Sequence, residues 1–267
     1  MKRFLVPTDF SENAENALVA AIELAENVNG HIIVVHAYKL IQRAGTFIGI
    51  EEMMRKDAEK DMDILLDKYR EVALKGIQLT GNVIKGDIEY VVASMVEQSD
   101  IDLVVMGTQG SSGLKEVFIG SMTNNVIKHT DIPVLAIPCG FEFRPFDRIT
   151  LAVDGKVVDD ISTYKPLLDI ASTFGSSLSI VHVSAEKDEI FPQPELHEYF
   201  KDFHPSSHTI ISEDISRALQ EYTVSDKSDL LCLLKRERGF FASIFHVSQT
   251  TKSVFYSEVP LLILRES

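Results

Sequence analysis

A chain of 267 residues with 45% apolar side chains is too long for one small domain and has ample hydrophobic mass for two packed cores. Its formal net charge of −14 is evenly spread, residues 1–140 and 141–267 each holding 13 Lys/Arg and 20 Asp/Glu. Neither half is therefore a basic platform, which argues against nucleic acid or an anionic membrane as partner.

The N-terminal Met1-Lys2-Arg3-Phe4 has the charge of a leader peptide, but Asp9, Glu12 and Glu15 interrupt any apolar core for one. No run approaches the 18 apolar residues of a membrane span. Cys139 and Cys232 fall in or beside predicted strands of different halves, the pattern of reduced thiols in a cytoplasmic protein. No Cys/His cluster has metal-ligand spacing, so no metal site is expected.

Apolar, β-rich runs predict strands at 3–7, 32–37, 78–84, 102–106 and 134–138. After the first, Ser11 is placed to cap a helix through Glu26 whose apolar face is Ala14, Ala17, Leu18, Ala21, Ile22 and Ala25. Between the second and third, Met54, Ala58, Met62, Leu65 and Leu66 form a helical stripe in the charged segment 51–69. Gly81 and Gly86 have the gap of a P-loop, but Asp87 and Ile88 stand where Lys and Ser/Thr belong, and a carboxylate there repels phosphate. No Gly-x-Gly-x-x-Gly is present. Past the fourth strand, Met122, Val126 and Ile127 give a helical spacing over 121–129 that starts at Gly120-Ser121. Strands alternating with helices argue for a parallel, doubly wound sheet.

In such sheets ligands gather beyond the carboxyl ends of the strands, where Asp9, Ala37 and Gly107 all fall. Gly107 is expected to let the chain turn sharply after its strand. The helix start at 120–121 offers unpaired N–H donors and the positive end of the macrodipole, with Ser121 and Thr123 adding hydroxyls. The long spacing Gly107-x2-Gly110-x9-Gly120-Ser121 favours a phosphate cradle over a plain connecting turn.

The chain repeats itself. Arg3-Phe-Leu-Val-Pro-Thr-Asp9 is echoed by Arg148-Ile-Thr-Leu-Ala-Val-Asp154, and Ile33-Val-Val-His36 by Ser179-Ile-Val-His182. Asp102 to Leu135 matches Asp229 to Leu262 without a gap. Pro138, Gly140 and Pro145 punctuate the junction, giving domains at 1–140 and 145–267. His36 to Asp102 spans 66 positions and His182 to Asp229 only 47, so the second domain is shorter. In it Gly107, Gly110, Gly113 and Gly120 become Leu234, Glu237, Phe240 and Val247, and the cradle is filled. Lys235, Arg236 and Arg238 read as a solvated charged turn rather than a new anion site.

These residues resemble the universal stress protein family, in particular the branch that binds ATP through Gly-x2-Gly-x9-Gly-Ser/Thr. Leu5-Val-Pro-Thr-Asp9-Phe-Ser11, Val34-Val-His36-Ala37, Asn125-Val-Ile-Lys128 and Ile132-Pro-Val-Leu135 extend the likeness over the first half. The resemblance implies that Pro7, Thr8 and Asp9 lie around adenine and ribose, that Ala37 offers backbone to the base, and that Met106 and Gly107 border ribose and phosphates. It further implies that Gly110, Gly120, Ser121, Met122 and Thr123 hold the phosphate chain. Gln109 departs from the histidine of many relatives and keeps hydrogen-bonding capacity without charge. Relatives pair their last strand with its equivalent in a partner subunit; here 134–137 and 261–264 are expected to pair within one chain, an intramolecular pseudo-dimer of two Rossmann-like domains. Further homodimerisation is left open.

His36 and His182 recur in both domains, which favours a structural role over catalysis. Asp9 is suited to ribose hydroxyls or to Mg²⁺, whereas Asp154 is expected as a helix cap or turn residue. The implied function is a cytoplasmic, ATP-binding stress-response protein that responds to nucleotide and signals to a protein partner through segments 107–123 and 41–57. Alternatives are a slow ATPase, an adenylyl-transferring or ATP-pyrophosphatase-like enzyme, or a nucleotide-independent scaffold. The adenylyl-transferring and pyrophosphatase-like enzymes use Ser-Gly-Gly or His-x-Gly-His where this chain has Pro7-Thr-Asp-Phe-Ser11. Turnover is not expected, because no base pairs with an Arg or Lys near a γ-phosphate.

Overall fold

A computed structural model describes residues 1–39, 48–71, 76–108, 120–154, 158–184, 195–236 and 257–266. They divide by packing into two compact units, residues up to 132 forming the first and residues from 133 the second.

In the first unit β1 (Arg3–Pro7), β2 (His31–Tyr38), β3 (Gln78–Lys85) and β4 (Leu103–Gly107) are parallel, in the order β3-β2-β1-β4. Each expected strand is present, with ends moved by at most one residue. Phe4, Leu5, Val6, Ile32, Val34, Val35 and Leu103 to Val105 are almost fully buried, as strands covered on both faces require. Helix α1 (Glu12–Glu26) begins where Ser11 Oγ accepts from the Ala14 N–H, and buries the predicted alanine-rich face. Helix α2 (Ile48–Lys68) lays Ala58, Met62 and Leu65 inward. The close approach of α2 explains Gly81: a Cβ there would sit 2.6 Å from Met62 Sδ. Part of the 41–57 segment expected to respond to nucleotide is thus helix, and 40–47 lie outside the described residues. Helices α3 (Ile88–Gln98) and α4 (Ser121–His129) follow β3 and β4.

The second unit has β6 (Arg148–Val153), β7 (Ser177–Ser184), β8 (Ser206–Ile211), β9 (Leu230–Lys235) and β10 (Leu261–Arg265), with α5 (Lys165–Phe174), α6 (Glu195–Tyr199) and α7 (Ile215–Asp226). Its strands run β8-β7-β6-β9-β10, all parallel. The five-residue α6 stands where the first unit has the 21 residues of α2, which accounts for most of the missing length. Strand β5 (Val134–Ile137) comes from the first sequence repeat but packs in the second unit, antiparallel to β10 with Leu262 opposite Leu135. That is the pairing expected between the two last strands.

The repeat extends to individual hydrogen bonds. Asp102 Oδ2 accepts from the Arg3 N–H at 2.9 Å, and Asp229 Oδ2 from the Arg148 N–H at 3.0 Å. His36 Nδ1 lies 2.9 Å from the Thr8 carbonyl oxygen and His182 Nδ1 3.1 Å from that of Val153. Each imidazole thus donates to the carbonyl just before its domain's aspartate, tying the second strand to the end of the first.

Candidate functional site

Because the first unit adds β2 and β3 on one side of β1 and β4 on the other, the direction of winding reverses between β1 and β4. Helices on either side of that reversal diverge and leave a crevice beyond the carboxyl ends of the strands. A cleft of about 250 Å³ opens there, lined by Pro7, Thr8, Asp9, Ala14, His36, Ala37, Lys39, Gly86, Asp87, Ile88, Glu89, Met106, Gly107, Met122 and Thr123.

The floor is a tight turn after β1. Thr8 N–H donates to the Val35 carbonyl at 2.9 Å, and Thr8 Oγ1 accepts from the Phe10 N–H at 3.0 Å. Phe10 has a φ of 60°, an uncommon conformation for a bulky residue that costs about 1–3 kcal/mol. Its ring stacks on His36 at 4.5 Å, so the same histidine that binds the Thr8 carbonyl also holds the strained residue. Asp9 Oδ1 accepts from the Ser11 N–H and hydroxyl, at 3.1 and 2.5 Å, which fixes the carboxylate at the cleft edge.

Opposite this turn is the start of α4. Gly120 is its N-cap and supplies no side-chain hydrogen bond, and the first intrahelical bond is Asn124 N–H to the Gly120 carbonyl, 2.9 Å. The N–H groups of Ser121, Met122 and Thr123 therefore lack helical acceptors and carry the positive end of the helix dipole. Thr123 behaves differently from expectation. Its side chain is buried and its hydroxyl donates to the Gly107 carbonyl at 2.8 Å, so it fastens α4 to β4 and has no proton to give a phosphate. The Ser121 hydroxyl remains at the exposed first position.

Gly107 also has a different reason from the one its place suggests. It closes β4, and it is not among the glycines with positive φ. A Cβ on it would lie 2.4 Å from Asn13 Nδ2 and 3.0 Å from the Asn13 carbonyl oxygen, so glycine is required by the crossing of α1 over β4.

Of the residues singled out from sequence, Pro7, Thr8, Asp9, Ala37, Met106, Gly107, Met122 and Thr123 line the cleft. Gly120 and Ser121 lie beside it at the α4 start, and Gln109 and Gly110 lie outside the described residues. Sequence reasoning missed the end of β3. Gly86, with φ 153° and its N–H on the Tyr38 carbonyl, turns the chain so that Asp87, Ile88 and Glu89 face the cleft. The Lys39 ammonium binds Asp87 Oδ1 at 2.6 Å, and this hydrogen bond, then the carboxylate charge, raises the lysine pKa. The available signal was Gly86-Asp87 at the end of the predicted third strand, a fourth strand end beside Asp9, Ala37 and Gly107. Among the described residues no group of three His, Cys, Asp or Glu is placed to hold a metal ion, and no helix is long and apolar enough to cross a membrane.

The corresponding crevice of the second unit is built differently. Leu234, 4% exposed, stands at the position of Gly107. Arg236 is no solvated turn residue: its side chain is 6% exposed and pairs with Asp154 at 2.8 Å, so Asp154 is an ion-pair partner and not simply a cap. Lys235 ends β9, and 237–256, with Arg238 and the counterparts of the other three glycines, lie outside the described residues.

Comparisons with known proteins agree with this architecture. The chain is 28% identical over 155 residues to universal stress protein MJ0577 of Methanocaldococcus jannaschii, which takes in 51% of this chain and 94% of that protein. It is 25% identical over 144 residues to universal stress protein YxiE of Bacillus subtilis, covering 51% and 97%. A universal stress protein of Archaeoglobus fulgidus has a crystal structure that shares the fold at a TM-score of 0.72 and 21% identity, over 99% of this chain and 96% of that one. The sequence profile of the universal stress protein family matches residues 1–138, and the chain belongs to that family.

Proposed function

We propose that the first unit binds an adenine nucleotide, ATP in particular, and that the chain is a nucleotide-responsive regulatory protein of the stress response. The observation that carries this reading is the cleft at the β1/β4 reversal with the uncapped start of α4 beside it. Its volume of about 250 Å³ falls just below the usual range of small-molecule sites, roughly 300–1,000 Å³, and suits a base and ribose with the phosphates lying outside it over α4. On this reading Asp9 and Thr8 face the ribose, the Ala37 backbone meets the base, and Met106 and Gly107 border the sugar. Ser121, Met122 and Thr123 then present backbone N–H groups to phosphate, while Gly120, whose own N–H is on the Thr108 carbonyl, keeps the approach free of a side chain; Gln109 and Gly110 are assigned to the same phosphates. Mg²⁺ would enter as the nucleotide complex.

Binding is favoured over turnover by the charges present. Among the described residues the lining has three carboxylates, Asp9, Asp87 and Glu89, a lysine already committed to Asp87, and no arginine to stabilise a transferring phosphoryl group. The domains are assigned to 1–140 and 145–267, the sequence repeat, with β5 lent to the packing of the second unit.

The test is amide hydrogen exchange of the full chain with and without saturating MgATP, alongside phosphate and pyrophosphate release. Protection at the ends of β1 and β4 and over 120–124, none in β6 to β10, and no product release support the reading. Turnover would establish the enzyme alternative, and absence of protection would remove the nucleotide.

A further inference from the structure

The second unit's crevice contains a buried cation at the place where the first unit would take an anion. Arg236 follows β9 directly, Asp154 follows β6, and Glu266 follows β10, so the three groups meet beyond the carboxyl ends of three adjacent strands. Arg236 Nη1 donates to Asp154 Oδ1 at 2.8 Å, and Nη2 to Glu266 Oε1 at 3.2 Å, while Nε lies 2.7 Å from Glu266 Oε2. The side chains of Arg236 and Asp154 are each 6% exposed and that of Glu266 is 21%. A planar cation that hydrogen-bonds one carboxylate through Nη1 and a second through Nη2, with Nε in ion-pair contact, is an arrangement that a guanidinium satisfies and a compact ammonium does not.

Asp154 corresponds to Asp9 in the echo of the first strand, and Arg236 to Gln109 in the gapless match of 102–135 with 229–262. We propose that this crevice is a guanidinium-binding site filled in cis by Arg236, which holds β6, β9 and β10 together at their carboxyl ends and, among the described residues, occupies the place a phosphate ligand would need. The site has exchanged polarity rather than decayed: its ligand is part of the chain, and its state is independent of nucleotide. This holds whether or not the first unit binds ATP.

The test is chemical rescue in the full chain. Arg236→Ala removes the cation that pairs with buried Asp154 and part-buried Glu266, and amide exchange in β6, β9 and β10 is expected to speed by about 100- to 1,000-fold. Millimolar methylguanidinium should restore protection in the variant and leave the wild-type chain unchanged, whereas tetramethylammonium at the same ionic strength should not restore it. Arg236→Lys, which keeps the charge without the fork, covers the case in which the alanine variant does not fold, and should also exchange faster than wild type.

Unchanged exchange in both variants, or equal rescue by tetramethylammonium, would overturn the proposal. So would protection of wild-type β9 and β10 by inorganic phosphate, because Arg236 would then be an open anion receptor.

Discussion

Gly107 separates two reasons for a glycine at a ligand site, and Gly107→Ala distinguishes them. A Cβ on the native backbone would be 2.4 Å from Asn13 Nδ2, 2.9 Å from Asn13 Cγ and 3.0 Å from the Asn13 carbonyl oxygen. The amide can rotate away; the carbonyl belongs to α1 and moves only with the helix. Overpacking of this kind costs about 1–3 kcal/mol, and the added residue also forces α1 off β4. Because the chain has two compact units, one global unfolding free energy is poorly defined, so the suitable assay is native-state amide exchange in β4 and α1 as a function of urea. Those amides should exchange with an opening free energy lower by about 1–3 kcal/mol, with β6 to β10 unaffected. Adding Asn13→Ala should recover only part of the loss, since the carbonyl contact persists. An alanine variant within about 0.5 kcal/mol of wild type, with impaired nucleotide binding, would show that the glycine serves the ligand and not the helix crossing.

Gly81→Ala should cost about 1–2 kcal/mol in the first unit, measured by the same exchange, because its Cβ meets Met62 Sδ at 2.6 Å and Leu66 Cδ1 at 2.8 Å; no change would mean that α2 adjusts freely. Burial raises the Glu15 pKa, but hydrogen bonds from Lys68 and Tyr69 and the Lys68 charge outweigh it and hold the carboxyl below the usual glutamate range. A depressed carboxylate contributes stability above its unfolded pKa, lost as pH falls through the folded value. Glu15→Gln should thus destabilise α1 against α2 at pH 7 and flatten the acid dependence below about pH 4.5, and an unaltered acid profile would contradict the assignment.

Much of the fold was legible because the strands are short, apolar runs buried on both faces and α1 has a clean helical stripe capped by Ser11. The ends of β1, β2 and β4, at Asp9, Ala37 and Gly107, were legible for the same reason. What escaped is tertiary. Lys39 and Asp87 are 48 residues apart, and nothing local to either announces the pair. Arg236 sits in the run Lys-Arg-Glu-Arg, which reads as solvent-facing, while its carboxylate partners are 82 and 30 residues away. Gly107 invited a turn explanation because its neighbour on α1, Asn13, is invisible in the motif. Thr123 invited a phosphate role because the carbonyl it binds, Gly107, lies on the preceding strand.

The most direct test of the central claim is calorimetric titration of MgATP into the nucleotide-free wild-type chain and into Gly120→Val, which places the second domain's own residue at the start of α4. The account predicts one nucleotide per wild-type chain and none for the variant, with the amide exchange of β1 to β4 preserved. Two nucleotides per wild-type chain, or undiminished affinity in the variant, would contradict a single site built on the α4 terminus.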